Sequence, residues 1–329
     1  MKALESFWYR PKNWLGYLLL PLHLILCILV YLRKFIAERR AKEILDAPPV
    51  VVIGNINVGG TGKTPLIIHL IEEFTERGLK VGVVSRGYGG HAEAYPMLID
   101  ENTNASEGGD EPVLIHRTTG APVAVAPQRR AAVLELMRKD KLDLILSDDG
   151  LQHYAMPRDF EVVVADAERG FGNGLLMPFG PLREPLSRLS SVDAFVSTGD
   201  SLRIDAALPR FVSKLIISSV SRLNSSEEMT IANYIKESNG PVNAVCGIGN
   251  PERYFLALEA LGLQIIRHPF PDHHRFTSAD FEALEGDILM TTKDAVKCES
   301  IAKDNLYQVH LTTEVTPSLT EYICQRLEL

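Results

Sequence analysis

The chain has 329 residues, 46% hydrophobic and 23% charged, with a formal net charge of −8. Its length suggests two domains or one large domain with an appendage, and the composition is globular with ample core. The acidic balance excludes a general nucleic-acid binder, which carries a basic surface.

Charge is unevenly placed. Residues 1–46 hold eight basic and four acidic residues, a net of +4, which leaves −12 for the remainder. Within that end, residues 14–32 read WLGYLLLPLHLILCILVYL, without a formal charge and interrupted only by Pro21 and His23. As a helix this run extends about 28 Å at ~1.5 Å per residue, close to the hydrocarbon thickness of a bilayer. Trp8, Tyr9, Trp14 and Tyr31 suit interfacial belts, and Arg33, Lys34, Arg39, Arg40 and Lys42 follow directly. These features predict an N-terminal membrane helix at 14–32 with the following domain cytoplasmic. A helix lying in one leaflet and a buried core helix stay open as alternatives. Cys27, Cys246, Cys298 and Cys324 have no metal-ligand spacing, which fits free thiols in a reducing compartment.

From Val50 onward, strand and helix patterns alternate. Strands are predicted at 49–53, 80–85, 122–126, 142–146, 160–165 and 192–197, with helices at 64–77 and 129–139 and a short one beginning at 112. After about residue 202 the pattern restarts, with strands at 211–218, 242–246, 288–291 and 307–310 and helices at 251–261, 278–284 and 317–326. This alternation predicts an α/β fold, a P-loop NTPase-like, doubly wound and mostly parallel sheet, with a second smaller α/β lobe. The expected division is 1–46 for the membrane helix and basic segment, 47–205 for the phosphate-binding core and 206–329 for the second lobe.

Residues 50–65 read VVVIGNINVGGTGKTP. A glycine-rich turn between a buried strand and a helix is the setting in which such a segment cradles phosphates. Gly59, Gly60 and Gly62 let successive N–H groups face inward, and the helix N-terminus adds partial positive charge. Lys63 is placed to reach the β- and γ-phosphates of ATP, and Thr64 to ligate Mg²⁺. Asn57 stands where the commonest form of the motif has glycine. Val58 stands where a dimerising ATPase variant has lysine. Residues 142–149 read LDLILSDD, an apolar strand ending in acids, so Asp148 or Asp149 is placed to serve the metal.

The chain resembles the tetraacyldisaccharide 4'-kinase family. The resemblance rests on the N-terminal apolar segment, GNINVGGTGKTP (54–65), SRGYG (85–89), GDEP (109–112), DDGLQH (148–153), GNGLLMPFGPLRE (172–184) and DHH (272–274). It covers most of the chain and accounts for Asn57. It implies transfer of the ATP γ-phosphate to the 4'-hydroxyl of a tetraacylated glucosamine disaccharide 1-phosphate, at the cytoplasmic face of a bacterial inner membrane. Membrane lipids and the lipid-linked acceptor are the implied partners, nucleic acid is not one, and a monomer is expected.

The same resemblance points to Asp110 and His273 as the pair that positions or deprotonates the attacking hydroxyl. A carboxylate and a histidine favour one another's charged forms, whichever orients the other. Lys63 and Asp149 complete the catalytic candidates. ATP falls to Asn57, Gly59, Gly60, Thr61, Gly62, Lys63 and Thr64. The metal falls to Thr64, Asp148, Glu111 and Gln152, and the acceptor to Arg183, Tyr88 and Arg129 or Arg130. Asp110 also reads as a helix cap ahead of Pro112, and Asp-Asp-Gly as a common turn. Two rival readings remain: a dimerising membrane-bound targeting ATPase, and a small-molecule kinase with its apolar N-terminus packed inside.

Overall fold

A computed structural model of the chain describes residues 8–9, 20–41 and 47–329, apart from 203, 205, 206, 226, 239, 299, 300 and 302. The first long element, α1, spans Leu20–Ala41. Pro21 falls in its first turn, where a missing N–H costs nothing. Leu26, Cys27 and Val30 pack onto the core beneath, and Nδ1 of His23 accepts the Leu176 N–H at 3.2 Å. The opposite side leaves Leu24, Ile28 and Tyr31 more than half exposed. No helix among the described residues is long and apolar enough to cross a membrane. The expected span at 14–32 falls partly outside the described residues, since 14–19 are not among them, and α1 as described runs on past Lys34 and Arg39. Charges inside a helix of that length break the apolar window that spanning requires.

The phosphate-binding core alternates as predicted. β1 (Val50–Gly54) leads to α2 (Lys63–Glu76), then β2 (Val81–Ser85) and the short β3 (Met97–Leu98). α3 (Ala105–Gly108) and α4 (Asp110–Thr119) precede β4 (Val123–Val125), and α5 (Arg129–Lys139) precedes β5 (Leu144–Asp148). β6 (Phe160–Asp166) and β7 (Ala194–Thr198) follow. β1, β2, β5, β6 and β7 are buried along their whole length, which is why they read as continuous apolar runs rather than alternating ones.

The remainder comprises β8 (Arg210–Arg222), β9 (Glu228–Thr230), α6 (Ile231–Glu237), β10 (Val242–Cys246), α7 (Pro251–Ala260), β11 (Ile265–Pro269), β12 (Ile288–Thr291), α8 (Thr292–Ala295), β13 (Leu306–Thr316) and α9 (Leu319–Leu327). The helix predicted at 278–284 is only a 3₁₀ turn, Ser278–Phe281.

All strands join one sheet of order β11-β10-β12-β13-β8-β7-β6-β1-β5-β2-β4-β3, with β9 beside β8. Pairing is parallel except for β13–β8, β8–β9 and β3–β4. Two apolar clusters cover the faces of the first half and two more cover those of the second. The last helix crosses back: Leu319 and Ile323 of α9 pack with Leu66, Phe74, Phe160 and Phe211 against the phosphate-binding half.

Candidate active site

β1 ends in the turn 55–62, which feeds α2. Asn55 Nδ2 donates to the Gly59 carbonyl at 3.1 Å and closes the turn on itself. Gly59 and Gly62 hold φ values of 111° and 81°, a region that glycine enters freely and side chains resist. Gly62 is the residue before the first turn of α2, and a Cβ there would lie 3.0 Å from Thr198 Cγ2. The Val58 N–H donates to Pro181 at 2.8 Å. The Asn57 amide donates to the Gly170 carbonyl at 3.2 Å and braces the turn, while its buried Oδ1 has no partner. Thr61 is buried with an unpartnered hydroxyl.

The acids at the end of β5 take different environments. Asp148 is fully inside, and its Oδ2 accepts from Ser85 at 2.9 Å while Oδ1 has no partner. Burial pushes its carboxyl up to about 7, helped by Glu111 and Asp149 and opposed by Lys63 and the Ser85 hydroxyl. Asp149 turns out of the strand with a φ of 48°. It lies 3.4 Å from Lys63 Nζ and accepts from Arg183 at 2.8 Å. Burial would raise its carboxyl, but Lys63 and Arg183 outweigh that and hold it down at about 2. An unpartnered buried oxygen on Asp148 among acidic neighbours fits a divalent cation. Among the described residues no three His, Cys, Asp or Glu side chains cluster around one point. Mg²⁺ suits such a site, since it takes one or two carboxylates and completes its shell from phosphate and water.

Asp110 opens α4 after Gly109 and is 5% exposed. Its Oδ2 lies 2.9 Å from Nδ1 of His273, so two residues 163 positions apart meet. Burial opposes ionisation of Asp110, yet the His273 hydrogen bond and Lys293 lower its pKa overall. The same hydrogen bond raises His273, against burial and the nearby Lys293 charge. An ionised carboxylate only accepts, so Nδ1 carries the proton, and Nε2 lies 3.8 Å from Asp272 Oδ1. The loop holds His273 at a φ of 58°, with its ring centroid 5.1 Å from that of Tyr88.

Arg183 and Tyr88 therefore stand at the site, but Arg129 does not. Its guanidinium is buried and donates to the carbonyls of Ala126 and Asp148, both at 3.1 Å. Burial lowers its pKa to about 10 despite the nearby acids. It secures the end of β5 and cannot grip a lipid phosphate. Gln152 is corrected likewise: its amide donates to the Asn55 carbonyl at 3.1 Å and to Glu184 at 2.7 Å, with Arg183 3.4 Å from its oxygen. It belongs to a buried chain in which Tyr154 donates to Glu184 and Arg188 donates to Glu184 and Glu161. Glu111 accepts from Lys293 at 2.9 Å. His153 is held neutral, its pKa lowered to about 4 by burial and by Arg129 and Arg86.

Sequence reading missed three participants. Ser85 and Lys293 lie at or just beyond the C-terminal ends of β2 and β12, where open parallel sheets collect their functional groups. That position was the available signal. The third, Arg169, donates to the Gly249 carbonyl at 3.1 Å beside the phosphate turn, a contact that no local pattern reveals.

The family model described as tetraacyldisaccharide-1-P 4'-kinase matches residues 15–328. The tetraacyldisaccharide 4'-kinase of Hahella chejuensis is 43% identical, over 98% of this chain and 96% of its own. That of Haemophilus influenzae is also 43% identical, over 98% and 94%. A solved structure of LpxK from Aquifex aeolicus in complex with ATP superposes with a TM-score of 0.78 at 25% identity, covering 95% of this chain and 99% of that one.

Proposed function

Because the chain belongs to the tetraacyldisaccharide-1-phosphate 4'-kinase family, we infer that it transfers the γ-phosphate of ATP to the 4'-hydroxyl of a tetraacylated glucosamine disaccharide 1-phosphate in lipid A biosynthesis. The observation that carries this reading is the meeting of the Asp110–His273 pair, at 2.9 Å, with the phosphate turn and the Asp148–Asp149 acids across one sheet edge. Phosphoryl transfer needs charge neutralisation and an aligned hydroxyl more than covalent chemistry, and this layout divides those tasks.

In this reading the amides of 59–64 and Lys63 hold the triphosphate. Thr64 and Asp148 hold Mg²⁺, which supplies charge neutralisation at the phosphates when bound. Arg183, fixed by Asp149, faces the anionic side of the acceptor, and Tyr88 lines the sugar subsite. The Asp110–His273 pair takes up the proton of the 4'-hydroxyl. Asp110 is nearly sealed while the His273 side chain is 27% exposed, so the imidazole is the member that meets the sugar.

The exposed apolar side of α1 supports attachment of the protein to the inner membrane from its cytoplasmic face. It lies on the bilayer rather than through it, with the exposed Arg39 toward anionic headgroups. The acceptor resides in that same surface, so attachment turns a search in solution into a local one. We take the working unit to be a monomer without a nucleic-acid partner. The test is incubation of the protein with γ-labelled ATP and the disaccharide 1-phosphate. Label at the 4' position is expected, and label only in free phosphate would reject the transfer.

A further inference from the structure

The Asp110–His273 pair joins the two halves of the chain, and its geometry depends on a third group. Lys293, in α8, sends its ammonium to Glu111 Oε1 at 2.9 Å, to Asp272 Oδ1 at 3.7 Å and to Asp110 Oδ2 at 3.8 Å. Its side chain is 17% exposed. Three carboxylates from two separate segments thus share one cation. Without it, Asp110 and Glu111 are adjacent like charges at the start of α4, with Asp272 facing them, and mutual repulsion favours other rotamers.

The residue beside it fixes the other member of the pair. Asp294 is completely buried. It accepts the Gly247 N–H at 3.0 Å, the Thr291 hydroxyl at 2.7 Å and the Lys297 ammonium at 2.7 Å. The Gly247 carbonyl accepts the N–H of His273 at 3.3 Å. One short helix therefore sets the carboxylate through Lys293 and the imidazole-bearing loop through Asp294.

We propose that Lys293 is a positioning residue of the kinase reaction, holding the Asp110 carboxylate in register with His273 without touching nucleotide or acceptor. This rests on the reading of Asp110–His273 as the proton-accepting pair. A residue that acts through another has no effect once that other is gone, whereas a residue acting independently keeps its effect.

The test is a double-mutant cycle on the full chain, with ATP and the disaccharide 1-phosphate in detergent micelles. Lys293→Met lowers kcat by about tenfold, at the low end of what proton-transfer groups contribute, and leaves KM for ATP within about twofold, the pattern of a group acting on the reacting geometry rather than on binding. Lys293→Arg, which keeps the charge, recovers part of the loss. On an Asp110→Asn background the Lys293→Met change costs almost nothing further. An equal fractional loss on both backgrounds overturns the proposal, and so does a raised KM for the lipid with kcat intact. Lys293→Gln replaces the methionine variant if that chain does not fold, and failure of both to fold would assign Lys293 to stability alone. Wild-type turnover in Asp110→Asn itself would instead reject the underlying pair.

Discussion

At the residue scale, Asp110 and Asp148 are both buried acids, yet the protein treats them oppositely. Asp110 has His273 and Lys293 and its pKa is lowered; Asp148 lacks a bonded cation and is pushed up to about 7. The first suits a permanent anion and the second a metal site that completes itself on loading. Asp110→Asn is expected to lower kcat by about 10²-fold or more while KM for ATP stays near wild type; loss confined to KM would contradict the assigned role. The His273 shift gives a pH test. Its hydrogen bond to Asp110 raises its pKa, against burial and the Lys293 charge, so the neutral imidazole forms at a higher pH than in a free histidine. Asn at 110 removes that preference for the cation, so the NMR titration of the His273 ring should move to lower pH. An unmoved titration would mean that the carboxylate does not govern the ring. Glu184→Ala should be among the most destabilising single changes. It strands Arg188, itself 5% exposed, with one carboxylate fewer, and breaking a buried pair typically costs about 3–5 kcal/mol. Chemical denaturation measures this directly.

At the element scale, the turn from β1 into α2 and the exposed side of α1 carry separable functions. Gly62→Ala introduces a Cβ at a φ of 81°, and 3.0 Å from Thr198 Cγ2. Strain at such a φ costs of order 1–3 kcal/mol, and here it falls on the phosphate cradle. A raised KM for ATP is expected, with a smaller effect on thermal stability. For α1, Ile25, Ile28 and Leu32 follow helical spacing, and all three are roughly half exposed. Changing them to Asp leaves the packed side of the helix untouched. Flotation with anionic vesicles should fall sharply, while turnover of detergent-dispersed acceptor stays close to wild type. Undiminished flotation would remove α1 from the attachment role.

At the scale of the whole molecule, one sheet runs through both halves and the last helix returns to the first. Phe160 and Tyr322 stand 5.9 Å apart across that return. Removing residues 317–329 is therefore expected to lower the unfolding midpoint of the phosphate-binding half. Leu319 and Ile323 are 1% and 0% exposed, and deleting such a side chain costs about 2–5 kcal/mol each. An unchanged midpoint would show that the helix is only an appendage.

The sequence by itself determined the elements whose signals are local. GGTGKT between an apolar run and a helical period located the phosphate turn, because glycine conformation and helix polarity are set within a few residues. The continuous apolar strands β1, β2, β5 and β6 were legible for the same reason, since burial on both faces is written into each segment. The edge strand β11, with exposed residues along it, carried too little pattern to be seen. For α1, hydropathy marks where a chain avoids water, not whether lipid or protein covers it, and the structure shows protein under Leu26, Cys27 and Val30. The pairing of Asp110 with His273 came from family resemblance, as no local rule joins residues 163 positions apart. Only the tertiary structure decided that Arg129 and Gln152 face inward and that Lys293 reaches Asp110. Those outcomes depend on which strand edges the sheet order brings together, and side-chain chemistry alone leaves that order open.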